Sequence, residues 1–193
     1  MNLLWIVDAQ KDFIDAEGRL SVKAPAYIRE NMRRVVEFAL KNNFATGYSM
    51  DWHAKGDKEL SLNPDFVNTY PMHCIAGTEG SRLIDEVSPS DNRVKNIVLK
   101  KSVFDIWDKS GGTPKELEAF VRDVSPDTIY VIGVATDVCV RFAVLGFLEK
   151  FKNIKVVIVK DAVCGITVKR GDAALDEMQE AGASLITADE LIR

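Results

Sequence analysis

Short apolar runs alternate along the chain with longer stretches in which apolar residues recur every three or four positions. The runs at 3–7 (LLWIV), 44–50 (FATGYSM), 97–101 (IVLKK), 129–134 (IYVIGV) and 154–159 (IKVVIV) have the length and the β-branched and aromatic content of buried strands, and 184–186 reads as a short last one. Residues 25–43 carry Ile28, Met32, Val35, Val36, Ala39 and Leu40 at helical spacing with proline at the start. Helices are also predicted over 114–124, over 141–150 and over 170–181 with Gly182 as its cap, and a terminal turn over 188–192. Between 51 and 93 the pattern weakens, with only a hint of a short helix at 80–87. A loop that long in a compact fold is usually functional. The rhythm predicts an α/β fold: one domain over 1–193, three α/β/α layers, and a mostly parallel, Rossmann-like sheet of about six strands.

Composition narrows the classes. A chain of 193 residues with 47% hydrophobic residues suffices for one good core. Net charge is −4 with no basic run, which argues against a nucleic-acid partner. No apolar run approaches membrane-spanning length, and MNLLWIVD lacks a basic n-region, so it reads as a strand rather than a signal peptide. Three cysteines, an odd number, imply reduced thiols and a cytoplasmic location.

The ends of the strands carry the chemistry. In open α/β sheets the site lies beyond the carboxyl ends of the strands. Asp8, Asp51, Lys101 and Cys139 each stand at or just past such an end. Cys139 falls where a strand turns into a helix, and the helix dipole there is expected to lower a thiol's pKa. A nucleophilic cysteine needs a proton acceptor. The two histidines, His53 and His73, allow a Cys–His dyad, yet with Asp51 they have the look of ligands for one divalent metal. The base is then a carboxylate, and Asp8 is the candidate, its pKa raised by burial at the end of an apolar strand. Lys101 would hold Asp8 and favour the thiolate, with Lys100 as its rival.

VDAQKDF, KSVFDIW and GVATDVCV, in this order, resemble the three catalytic blocks of the isochorismatase-like cysteine hydrolases. DWH and YPMHCIAGTEG resemble the metal-binding blocks of that superfamily's nicotinamidase branch. The resemblance implies an Asp8–Lys101–Cys139 triad and selects Lys101 over Lys100. It implies a cis peptide between Val134 and Ala135, and an oxyanion hole from the N–H groups of Ala135 and Cys139. It implies Asp51, His53 and His73 as ligands of a divalent metal, zinc first, with manganese, iron or magnesium as alternatives. Where many relatives place a further histidine this chain has Glu59, a substitute ligand with which Asp65 competes. Phe13 and Tyr70 match aromatic residues that sandwich a pyridine ring, and Trp107 is a further wall candidate, core packing being its alternative. Val134 and Ala135 complete the expected substrate-binding set, and Cys74 and Cys164 read as structural.

The activity so implied is hydrolysis of nicotinamide to nicotinate and ammonia through a thioester. The expected partner is a small-molecule amide, and family members often form homo-oligomers. Two alternatives stand beside it: another C–N hydrolase of the superfamily acting on a carbamoyl or ureido compound, and an inactive, metal-holding protein that binds a pyridine.

Overall fold

The structure, a computed structural model, describes residues 1–89, 94–111 and 113–193; positions 90–93, the end of the long loop, lie outside the described residues. Six strands form one sheet: β1 (Asn2–Val7), β2 (Ala45–Asp51), β3 (Asn96–Lys101), β4 (Thr128–Val134), β5 (Lys155–Cys164) and β6 (Ser184–Ile186). Their order is β3-β2-β1-β4-β5-β6, and every neighbouring pair is parallel, so the sheet is entirely rather than mostly parallel among the described residues. The order reverses direction at β1 and β4, which places a crevice at their carboxyl ends.

Among the described residues six α-helices flank the sheet: α1 (Lys11–Ile14), α2 (Ala26–Lys41), α3 (Pro114–Val124), α4 (Arg141–Lys150), α5 (Val168–Glu180) and α6 (Ala188–Ile192). Side chains on a strand alternate between its faces, so β1 feeds both cores. Leu3, Trp5 and Val7 pack with Leu117 and Phe120 of α3, Phe147 of α4 and Met178 of α5. Leu4 and Ile6 pack on the other face with Ile28, Met32 and Val35 of α2 and Ala188 of α6. Central strands apolar on both faces must be covered on both faces, which accounts for the three layers. No helix is long and apolar enough to cross a membrane among the described residues.

Three elements differ from the sequence reading. The segment 80–87 forms two single 3₁₀ turns, Glu79–Ser81 and Asp85–Val87, instead of one helix. The short helix α1 was not anticipated, because four residues are too few to display a period. β5 continues past Lys160 and Asp161, where the polar pair suggests its end. The β4–β5 register shifts there, and pairing resumes at Gly133 with Val163. Asp161 is used at that irregularity, accepting the Ala188 N–H at 2.8 Å and so docking α6.

Gly133 decides how closely the two central strands end. Its φ is +122°, and a Cβ there would lie 2.0 Å from the Val7 carbonyl oxygen, so only glycine lets β4 run against the last residue of β1. Asp8 and the segment carrying Cys139 leave the sheet side by side as a result.

Candidate active site and metal centre

Beyond β4 the chain makes a single wide helical turn, Thr136–Val140, that runs directly into α4. The N–H groups of Val138 and Val140 both donate to the Ala135 carbonyl, at 3.0 and 3.1 Å, and this wraps the turn so that Cys139 faces the sheet edge. The Val134–Ala135 peptide is cis. Asp8 follows β1 with φ +45°, a conformation that aspartate tolerates better than most side chains. Its Oδ1 accepts from Ser49 Oγ at 2.6 Å, and its Oδ2 lies 2.8 Å from Lys101 Nζ. The same ammonium contacts Asp51 Oδ1 and lies 3.7 Å from Cys139 Sγ. One side-chain atom each of Asp8, Asp51 and Cys139 fall within 4.8 Å of one another, and all three residues are buried. Lys101 fills this acidic cluster as its resident cation.

Burial and charge set the protonation of the cluster. Burial raises the Asp8 pKa, with Lys101 opposing and the Asp51 charge adding to the rise. Burial disfavours the Lys101 cation, but Asp51, Asp8 and Cys139 outweigh it and hold its pKa well above the ordinary value. Burial pushes the Cys139 thiol well above its ordinary pKa, against the pull of Lys101. The expected lowering by a helix dipole is therefore overturned: the sulfur sits at 5% exposure between two carboxylates, and desolvation wins. A buried thiol so placed needs a nearby base to act as a nucleophile.

A second cluster adjoins the first through Asp51. Its Oδ2 lies 3.4 Å from His73 Nε2 and 3.7 Å from His53 Nε2. His73 Nδ1 is 2.7 Å from the Pro71 carbonyl, which only accepts, so that nitrogen carries a proton and Nε2 is the atom turned toward Asp51. His53 Nδ1 lies 3.3 Å from Asp57 Oδ2. Imidazoles held from behind in this way are the usual arrangement around a metal ion. Asp51 Oδ2, His53 Nε2, His73 Nε2 and Glu59 Oε2 are all buried without a hydrogen-bond partner. The ligand atoms of Asp51, His53 and His73 lie within 4.8 Å of one another and suit a divalent cation, being costly to bury otherwise; the orphaned Glu59 oxygen stands outside that close group. Burial opposes the Asp51 charge, but Lys101 and the two histidines keep it ionised well below the usual carboxylate range.

Between Glu59 and Asp65 the geometry distinguishes. Asp65 is exposed, and its Oδ1 accepts the N–H groups of Val67, Asn68 and Thr69 at 3.0, 2.8 and 2.8 Å, which holds its own loop together. Glu59 keeps one oxygen orphaned and accepts the Phe104 N–H with the other at 3.1 Å. Burial raises the Glu59 pKa, with the Phe104 N–H opposing.

A cavity of about 140 Å³ opens over Cys139 and Asp51. Its walls are the rings of Phe13, Tyr70 and Phe104 with aliphatic side chains of Leu20, Val22 and Ile166, and Ala135 and Cys139 also line it. No lysine or arginine is among the described residues lining it. Two expected wall residues are corrected. Val134 is 1% exposed and packs inside the core with Ile132 rather than facing the cavity. Trp107 packs edge-on against Phe147 at 5.3 Å and donates Nε1–H to the Ala143 carbonyl at 3.3 Å, so it fastens the loop after β3 to α4. Phe104, three positions earlier, is the wall that this block supplies.

Two further residues escaped the sequence reading. Gln10 is fully buried and grips the backbone of Asp51: Nε2 donates to the Asp51 carbonyl at 2.7 Å and to the Ser81 carbonyl at 2.9 Å, while Oε1 accepts the Asp51 N–H at 2.8 Å. Asp12 Oδ2 accepts the Cys74 N–H at 2.7 Å, anchoring the backbone beside His73. Neither position carries a signal in sequence, since polar residues after a strand are ordinary.

Comparison with known proteins agrees with this geometry. The profile of the isochorismatase domain matches residues 2–190. The nicotinamidase/pyrazinamidase of Mycobacterium tuberculosis is 29% identical over 194 residues, spanning 96% of this chain and 98% of that protein. The solved pyrazinamidase of Pyrococcus horikoshii, a complex with zinc, superposes with a TM-score of 0.79 at 23% identity, covering 96% of this chain and 98% of that one. The N-carbamoylsarcosine amidase of Thermoplasma acidophilum superposes with a TM-score of 0.75 at 26% identity over 97% and 96% of the two chains.

Proposed function

Because this chain belongs to the isochorismatase family, we propose that it is an amidohydrolase of the nicotinamidase type, releasing ammonia from nicotinamide with Cys139 as nucleophile and a divalent ion at Asp51, His53, His73 and Glu59. The observation that carries the reading is the junction of two clusters beneath one aromatic cavity: a buried Asp8–Lys101–Cys139 group and a set of orphaned ligand atoms share the wall over which a flat, neutral ring would lie.

A bound divalent ion would supply a Lewis-acidic point for the ring nitrogen; two imidazoles with carboxylates suit zinc first, then iron and manganese, while magnesium prefers an all-oxygen set. The rest is done by the chain's own groups. Phe13, Tyr70 and Phe104 enclose the ring and exclude water. Asp8 takes the thiol proton as sulfur bonds to the carboxamide carbon, and the N–H groups of Ala135 and Cys139 receive the oxyanion, each such donor contributing roughly 3 to 4 kcal/mol. Asp8 returns the proton to nitrogen as the C–N bond breaks, leaving a thioester and ammonia. Asp8 then takes a proton from water as its oxygen attacks the thioester, the C–S bond breaks, and the thiol is restored as nicotinate leaves. Lys101 stays charged throughout, its two carboxylate partners fixing it beside the sulfur.

The carbamoyl and ureido alternative is disfavoured by the cavity lining. The aromatic and aliphatic walls of the cavity suit a flat, neutral ring better than a flexible chain ending in a carboxylate, such as N-carbamoylsarcosine. Ammonia release measured across nicotinamide, pyrazinamide and N-carbamoylsarcosine, with and without added zinc, tests the proposal. Turnover of the ring amides alone is the expected result; preference for the carboxylated compound overturns it.

A further inference from the structure

We infer that Glu59 is a positioning residue through which occupancy of the ion site sets the ring wall made by Phe104 and Tyr70; this rests on the divalent-ion reading above. Neither wall residue belongs to a helix or a strand of the sheet. Each is held by Glu59. The carboxylate Oε1 accepts the Phe104 N–H at 3.1 Å, and the backbone carbonyl accepts the Tyr70 N–H at 2.8 Å. The two rings meet edge to face, with centroids 5.0 Å apart. The other carboxylate oxygen, Oε2, is buried with no partner.

A carboxylate is suited to both tasks because its two oxygens both accept. An ion held by Asp51, His53 and His73 that also drew in Oε2 would fix the plane of the group and therefore the direction in which Oε1 meets the Phe104 amide. A histidine could serve the ion but not the wall: with one nitrogen on the metal, the other carries a proton and cannot accept an N–H. A glutamine reverses the balance, since its carbonyl oxygen can hold the amide while the ligand loses its charge.

The test is amide hydrogen exchange at Phe104 in the full chain, with zinc removed and with zinc restored, alongside direct zinc titration and nicotinamide kinetics. Zinc is expected to slow exchange at Phe104 by up to ~10-fold, the scale of one hydrogen bond. Glu59→His is expected to bind zinc yet leave Phe104 exchange unchanged by it, with KM raised by about 10-fold and kcat changed much less. Glu59→Gln is expected to keep Phe104 protected while binding zinc more weakly. Zinc binding to the wild-type chain without protection at Phe104, or Glu59→His with wild-type KM, overturns the inference and leaves the ion reading standing. Failure of the wild-type chain to bind zinc overturns the ion reading, and this inference falls with it.

Discussion

Lys101 contacts both Asp51 and Asp8, so the cluster around the thiol and the cluster of ligand atoms share a charge. Two carboxylates that close together in a dry site stay ionised only with a cation between them. Replacing Lys101 by methionine removes that cation and leaves buried charge uncompensated. We expect a loss of stability of about 3–5 kcal/mol by urea denaturation along with loss of turnover. Unchanged stability would mean that the ammonium does not neutralise this cluster.

The pH dependence has a definite sign. Asp8 serves as a base only when ionised, and burial raises its pKa, so the acid limb of kcat/KM lies above the ordinary carboxylate range and activity falls as pH drops through it. The Ser49 hydroxyl donates to Asp8 Oδ1 and stabilises the ionised form. Ser49→Ala therefore shifts the limb to higher pH, by about one unit if the bond is worth ~1.4 kcal/mol. A pH–rate profile that stays in place or moves down contradicts Asp8 as the titrating group.

Gln10 offers a test of how Asp51 is placed. Its amide makes three buried hydrogen bonds, two of them to the backbone of Asp51. Gln10→Ala leaves those backbone groups unpaired, at a cost of about 1–3 kcal/mol each in the worst case, and should weaken zinc binding measured by competition with a chelator. Zinc affinity equal to wild type would show that Asp51 is held by its strand alone.

The strand ends were legible because a parallel sheet brings them to one edge whatever the loops do, and Asp8, Asp51, Lys101 and Cys139 needed only strand boundaries to be found together. The histidines were legible because the chain has only two. Trp107 was named as a wall and Phe104 passed over, since both lie in an irregular segment where no periodicity says which side chain turns toward the cavity. Gln10 was invisible for a different reason: it acts on backbone groups of Asp51, 41 residues away. The direction of the Cys139 pKa shift was misread because a turn at the start of a helix suggests a dipole, whereas the depth of burial emerges only from packing.

The central claim is that Cys139 attacks the carboxamide, and it is tested most directly by acid-quenching the zinc-loaded enzyme during nicotinamide turnover and weighing the peptide that contains Cys139. A nicotinoyl adduct on that peptide, absent in Cys139→Ala together with ammonia release, is the predicted result. Ammonia release that persists in Cys139→Ala, with no adduct on the wild-type peptide, would contradict it.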